Sequence, residues 1–588
     1  MERKYRRLTA EEVAQLERQG NRADDWGTVL VMEPFDALCV QGNRFGGEVR
    51  IGALSQQPAE ADGLREGIYD SNIVDTTIGD HARVHDVRML RGYTVGDGVT
   101  LSCIDEISAD GAPAPWLEPM NENGGRRIKA SPGMTVGMAY LWARYRGRKA
   151  LQERLEGFAE AGGPLASIGD CCTIRNTSTV RNVAVLSRPD DPTTIDTCTA
   201  LTDGVVGTGC RLEFGVIAHR FLLGEHVHLE DGLRLNDTVV GDNSRLARGE
   251  VGSSIIFPSH EQHHNNSFLI ASLVMGQSNV AAGATIGSNH NSRTADGELA
   301  AGRGFWPGLC CSFKHPSRFA SFCLVAKADY PAELDVRLPF ALVSNNARED
   351  RLEVMPGYWW MYNMYAMDRN SRKFAARDKR SVKKQNIEFE SLAPDTAEEI
   401  LHGMELLRGW MAASSAGTVY ADGMEKSKRK TVVLKAAEGL KAYEEMLVYY
   451  AMKHLTALGE GLPSAPASVE RVWVNIGGQL VGRKDMERLI AAVENGEVKD
   501  WKGLNMRLDE LWRRYPEERD AHAYYVLCRL AGVKELDERL WEGYRARYEE
   551  IKDYVTRQVK ASRQKDDENR FRRMMCWDED EWQAVMGS

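Results

Sequence analysis

The stretch SHEQHHNNSFLIASLVMGQSNVAAGATIGSNHNSR, from Ser259 to Arg293, gathers side chains that move protons and hold polar ligands. It contains His260, His263, His264, Asn265, Asn266, Asn279, Asn289, His290 and Arg293, with four of the chain's 13 histidines. A neutral imidazole titrates near physiological pH and can accept a proton from an amine or hydroxyl. His264 and His290 are the candidate catalytic bases. His260, His263, Asn265, Asn289 and Arg293 are candidates for orienting an acceptor, and Lys314 and Arg318 for holding its phosphate. The same residue types also suit a solvated face that does no chemistry.

Metal chemistry is the competing reading. His226 and His228 lie about two repeats before His263 and His264, so imidazoles could stack along one edge. Zinc needs three or four ligands at about 2.0–2.1 Å. The alternation of His226 and His228 is equally that of a solvated strand, and no residue is assigned to a metal.

The elements that must carry these residues follow from a period of six. Aliphatic residues recur at Ile78, Val84 and Leu90; at Ile168, Ile174, Val180 and Leu186; at Leu223, Leu229 and Leu235; and at Val274, Val280 and Ile286. Neither a helix of period 3.6 nor a simple strand asks for this. It matches a parallel β-helix in which three short strands make one coil, with each sixth side chain pointing inward. An aliphatic–Gly pair repeats every 17 residues at Val206-Gly207, Leu223-Gly224 and Val240-Gly241, and again at Ile78-Gly79 and Val95-Gly96. A glycine there suits a tight corner at positive φ. The aspartates Asp80, Asp97, Asp170 and Asp242 that follow such glycines can bond turn amides. Vicinal cysteines at 171–172 and 310–311, without C-x-x-C, fit reduced core residues in a cytoplasmic protein.

Three regions follow. Residues 1–40 are a lead-in with a helix capped by Thr9 and Glu12. Residues 41–350 are the β-helix, interrupted at about 102–164 by a loop and helix, with less regular hexads after Ile286. Residues 351–588 are mostly helical, with one strand-like break at VERVWVNIGGQLV and a second capping box at Thr396 and Glu399. The aromatic run PGYWWMYNMYAMDRNSRK is expected to bury the joint between β-helix and helices.

A net charge of −10 and pI near 5.8 argue against a nucleic-acid binder. No apolar run is long enough to span a membrane, and the N-terminus does not read as a secretory signal.

The segments IGDHARVHDV, VGDGVTL, IGDCCTIRNTSTV, VVGTGCRL, LLGEHVHL, VVGDNSRL and AAGATIG resemble the left-handed β-helix of hexapeptide-repeat proteins. With TIGSNHNSR, AGRGFWPG and LPFALVSNN, the chain also resembles a hexapeptide-repeat family known as a domain of unknown function. Hexapeptide-repeat proteins are mostly acyltransferases. The resemblance therefore implies acetyl-coenzyme A or another acyl donor, and a sugar or nucleotide-sugar acceptor. It also implies a histidine base, an oxyanion held by backbone amides, and a homo-oligomer, most simply a trimer. Two alternatives come with it. One is a metal-dependent lyase or hydrolase like the carbonic anhydrases built on the same prism. The other is a non-catalytic scaffold or carbohydrate-binding protein.

Overall fold

A computed structural model describes residues 3–57, 63–121, 125–163, 165–287, 297–414, 417–459, 461–567 and 569–586. A parallel β-solenoid of about 17 turns occupies residues 22–343, and a helical region follows it. Inward side chains stack coil upon coil. One column runs Ile195, Leu212, Leu229, Leu246 and Gln262. Another runs Leu223, Val240, Ile256, Val274, Ala301, Phe319 and Val336. Toward the C-terminal end aromatics replace aliphatics, with Phe313 stacked on Tyr330 at 5.3 Å and Phe322 on Phe340 at 4.7 Å. That substitution is why the aliphatic hexads fade after Ile286. Leu186 is not an inward residue; Val185 pairs with Ile168 and takes that place.

The corners explain the interval of 17. Each aspartate after the glycine accepts the amide of the coil before it. Asp80 accepts from Ala53, Asp97 from Asp80, Asp170 from Asp97 and Asp242 from Glu225, at 2.7–2.9 Å. The glycine itself has an ordinary φ, contrary to the expectation above, and the left-handed residues sit further on, at His81, His226 and Asn243. Glycine is needed because a Cβ on Gly207 would lie 2.0 Å from the carbonyl oxygen of Gly224 in the next coil. The constraint is close approach between coils rather than local backbone strain.

The helices are α1 (Ala10–Arg18), α2 (Val136–Arg144), α3 (Lys149–Ala161), α4 (Tyr358–Tyr362), α5 (Met364–Arg377), α6 (Pro394–Ala413), α7 (Ala436–Leu455), α8 (Arg483–Glu494), α9 (Trp501–Ala531), α10 (Glu538–Asp567), α11 (Arg570–Arg573) and α12 (Glu579–Met586). The Thr9–Glu12 capping box is present on α1. The second expected box is not. Pro394 opens α6 three residues earlier than expected, the Thr396 hydroxyl caps the amide of Ala393, and Glu399 is left free to turn toward Ser321.

The excursion from the solenoid leaves after Ser108 and returns at Ser167, carrying α2 and α3. It does not stand alone. Trp142, Leu151 and Leu155 share one core with Leu222, Val239 and Phe257 on the solenoid's outer face, and with Ile476, Met486 and Trp501 from the C-terminal region. The strand-like break forms an antiparallel hairpin, Trp473–Ile476 with Gln479–Gly482. Its turn is set by Asn475 Oδ1, which accepts the Gly478 amide at 2.8 Å. The C-terminal helices therefore fold back along the solenoid. Trp359 and Trp360, both 1 % exposed, seal the joint: Trp359 packs on Trp306, and Trp360 donates to Glu445 at 3.0 Å.

Between α5 and α6 the chain forms a strap, residues 378–393, laid across the solenoid corners. Arg380 is buried within it, ion-paired to Asp242 of the prism and bonded to Asp378 at 2.7 Å. Gln385 ties it to the insertion and the hairpin, accepting from Gly137 N and donating to Ile476 O at 3.1 Å each.

Candidate functional site

Parity along the strand decides where each histidine points. Gln262 lies in register with Leu246, so it points inward, and so does His260 two residues before it. His260 is fully buried, with Nε2 at 3.1 Å from Gln262 Oε1, and Gln262 donates on to Ser267 Oγ at 3.0 Å. Complete burial pushes the imidazole down to about 4, so it is neutral at pH 7. His260 is thus a core residue and cannot touch a ligand outside the prism.

His263 and His264 come after the strand, where the chain turns outward. Their rings lie 4.4 Å apart; His263 is half-buried and His264 exposed. Burial lowers the His263 pKa, Glu261 opposes that, and His264 adds to the lowering. His263 Nδ1 is buried and makes no hydrogen bond among the described residues. Both rings line a pocket of about 270 Å³. Trp306, Trp359, Phe322 and Phe374 form its apolar wall, and α5 forms its rim. Glu261 on the solenoid bonds Lys373 at 2.7 Å and also pairs with Arg377. Arg369, also lining the pocket, has no carboxylate partner among the described residues. One carboxylate thus answers three cations, and the site favours an anion.

The other expected site residues disperse. Asn265 is exposed on the same turn and its carbonyl accepts from Gly283. Asn289, His290 and Arg293 lie outside the described residues. Lys314 pairs with Glu333 at 3.3 Å, and Arg318 makes a bidentate pair with Asp335 at 2.7 and 2.9 Å. Arg318 lines a separate groove with Glu333 and Lys426, so neither cation faces the histidine pocket. The pocket's own cations come from a different stretch of the sequence. Residues 369–384 hold eight Lys or Arg against one Asp, a run that begins inside the aromatic stretch.

The histidines at 226 and 228 do not stack on those at 263 and 264. His226 bonds Asp191 at 2.7 and 2.9 Å, beside Ser381 of the strap. His228 is followed in its column by Arg245 and Glu261. With Glu213 at 3.1 Å and Glu230 at 3.3 Å, His228 forms a trio whose donor atoms lie within 4.8 Å of one another. Such a set could bind a divalent cation, but Glu230 is already engaged by Arg245 at 2.6 Å.

Fold and pocket together define a parallel β-solenoid protein with a helical C-terminal region and a histidine pocket at their junction. No described helix is long and apolar enough to cross a membrane. The chain belongs to the family described as domain of unknown function DUF4954, whose model matches residues 5–162 and 165–411. A protein of Treponema pallidum (strain Nichols), named only as an uncharacterized protein, is 39 % identical over 655 aligned positions. The alignment covers 100 % of this chain and 90 % of that one.

Proposed function

We propose that the chain is an acyltransferase-like enzyme whose chemistry occurs in the His263–His264 pocket. The donor is acetyl-coenzyme A or a related acyl thioester, and the acceptor a sugar or nucleotide sugar. The observation that carries this reading is His263, a half-buried, neutral imidazole with an uncommitted Nδ1, set between an aromatic wall and a cationic helix. His263 takes over here the role expected of His264. Its Nδ1 accepts the proton of the acceptor hydroxyl or amine as that atom attacks the thioester carbonyl. The new acyl bond forms, the C–S bond breaks, and the imidazolium returns its proton to the departing thiolate. Nothing else is consumed. Arg369 and Lys373 hold the phosphates of donor or acceptor, and Trp306 offers a stacking face. The working form is a homo-oligomer, with a trimer the arrangement common to the proteins it resembles.

The test is thiol release from acetyl-coenzyme A with a panel of nucleotide sugars. A positioned base contributes roughly 10²–10⁴-fold, so His263→Ala should slow turnover by that factor. Arg369→Ala should raise KM and leave kcat within a few-fold. Absence of thiol release with every acceptor, or a fully active His263→Ala, refutes the reading. A second reading rests on the Glu213–His228–Glu230 trio: a metal-dependent lyase or hydrolase. Stoichiometric zinc or iron in the purified protein, lost in His228→Ala, would favour it.

A further inference from the structure

Arg303 donates to Gln277 Oε1 at 3.2 Å. Gln277 lines the histidine pocket, whereas Arg303 lines a different cleft of about 780 Å³. Its walls come from distant parts of the chain: Tyr140 and Arg144 of α2, Ser321 of the solenoid, Glu399 of α6, and Trp473 and Asn475 of the hairpin. Arg483, at the start of α8, also lines it.

Four arginines and four carboxylates line these walls, but the carboxylates are already engaged. Asp395 accepts two bonds from the fully buried Arg303, at 2.8 and 2.9 Å. Glu398 lies 3.2 Å from His522 and 3.7 Å from Arg471, and Glu487 is 3.0 Å from Arg148. Arg144 and Arg483 remain, exposed and with no carboxylate partner among the described residues.

The neutral groups lean the same way. Asn475 is 7 % exposed, and its Nδ2 makes no hydrogen bond among the described residues; nor does the buried Nε1 of Trp473. Both are donors. Glu399 accepts from the Ser321 amide at 2.9 Å and its hydroxyl at 3.2 Å. Burial pushes its carboxyl up to about 7, against the Ser321 amide bond and with a further push from Asp395, so a share of molecules carries an O–H there at neutral pH. The cleft thus offers spare donors and spare cations. What complements it is a ligand rich in oxygen acceptors and negatively charged. A volume of this size fits one small molecule.

We propose that this cleft is a second ligand site, taking a phosphorylated sugar or similar polyol phosphate. Arg144 and Arg483 hold the phosphate, and Asn475 and Trp473 donate to the hydroxyl oxygens. This site is independent of the acyl-transfer reading. Arg144 and Arg483 are solvent-exposed, so Arg144→Ala/Arg483→Ala leaves the fold intact.

The test is calorimetric titration of the full chain with glucose 6-phosphate, glucose and inorganic phosphate. The expected result is one site per chain for glucose 6-phosphate, with glucose and phosphate each at least tenfold weaker. The double variant should bind glucose 6-phosphate at least tenfold more weakly, and His263→Ala should bind it as the native protein does. No binding of glucose 6-phosphate, or equal binding by the double variant, overturns the site. Phosphate binding as tightly as the sugar phosphate overturns the polyol assignment. Loss of binding in His263→Ala would place the ligand in the other pocket and also overturn it.

Discussion

Acidification should weaken the solenoid through one side chain, His260. It is 0 % exposed, and its folded-state pKa of about 4 lies below the ordinary 6.5 because burial disfavours the imidazolium. The folded state therefore binds fewer protons than the unfolded state. The contribution is complete above pH 6.5 and is lost as pH falls from about 6.5 to about 4. At 1.36 kcal/mol per pKa unit the whole window is worth about 3 kcal/mol, of which about 2.5 kcal/mol is gone by pH 4.5. That is a large part of a typical folding stability of about 5–15 kcal/mol. His260→Leu removes the titration while keeping the site apolar. It also strands Gln262 Oε1, at a cost of about 1–3 kcal/mol that does not depend on pH in this range. Urea unfolding followed by circular dichroism, on both proteins at pH 7.5 and 4.5, separates the effects. The wild type should be the more stable at pH 7.5, and the gap should close by about 2.5 kcal/mol at pH 4.5. Asp378 and Glu261 titrate in both proteins, so they cancel in the difference. Equal acid losses in the two proteins would show that His260 is not held neutral by burial.

Two further outcomes concern the frame that holds the sites. Arg380→Met leaves Asp242 buried beside Asp378 without its cation and should cost about 3–5 kcal/mol, read as a fall in the thermal midpoint; a shift within error would mean that the strap is not pinned there. Gly207→Ala puts a Cβ 2.0 Å from Gly224 O, while Gly232→Ala meets nothing within 4 Å and strains only a φ of +75°. The first should cost about 3 kcal/mol or more and the second about 1 kcal/mol, and the reverse order in urea midpoints would contradict the close-approach account of the corner.

The column of inward side chains was readable because a solenoid is local in sequence. Leu212, Leu229 and Leu246 are neighbours in space, and each is 17 residues from the next, so one coil's spacing repeats in the next. That locality fails at two places. Leu186 keeps a strict count of six, but the preceding strand, Thr179–Val185, rounds its corner one residue short and brings Val185 inward. Thr396 and Glu399 have the letters of a capping box, but Pro394 can occupy the first turn of a helix without losing a hydrogen bond, and so starts it earlier.

The sites were less readable, for a related reason. The turn at His263 and His264 could be found from composition, whereas His260, an acceptor-orienting candidate by residue type, is carried inside by the register of the leucines: Val227, Ser244 and His260 each lie two residues before an inward Leu229, Leu246 or Gln262. Arg369 and Lys373 reach the pocket only because α5 packs on the solenoid, about a hundred residues further along the chain, so no short window shows them beside His263. The larger cleft goes further still. Arg144, Ser321, Glu399, Asn475 and Arg483 meet only after the insertion, the solenoid and the hairpin have packed together. Arg144 comes from the insertion, whereas Trp473, Asn475 and Arg483 come from the hairpin and the helix that follows it, so the pair of cations needs both segments. The excursion after Ser108 and the long helical addition therefore do more than cap a repeat array: together with the solenoid's flat outer face they enclose a volume that the prism by itself cannot make.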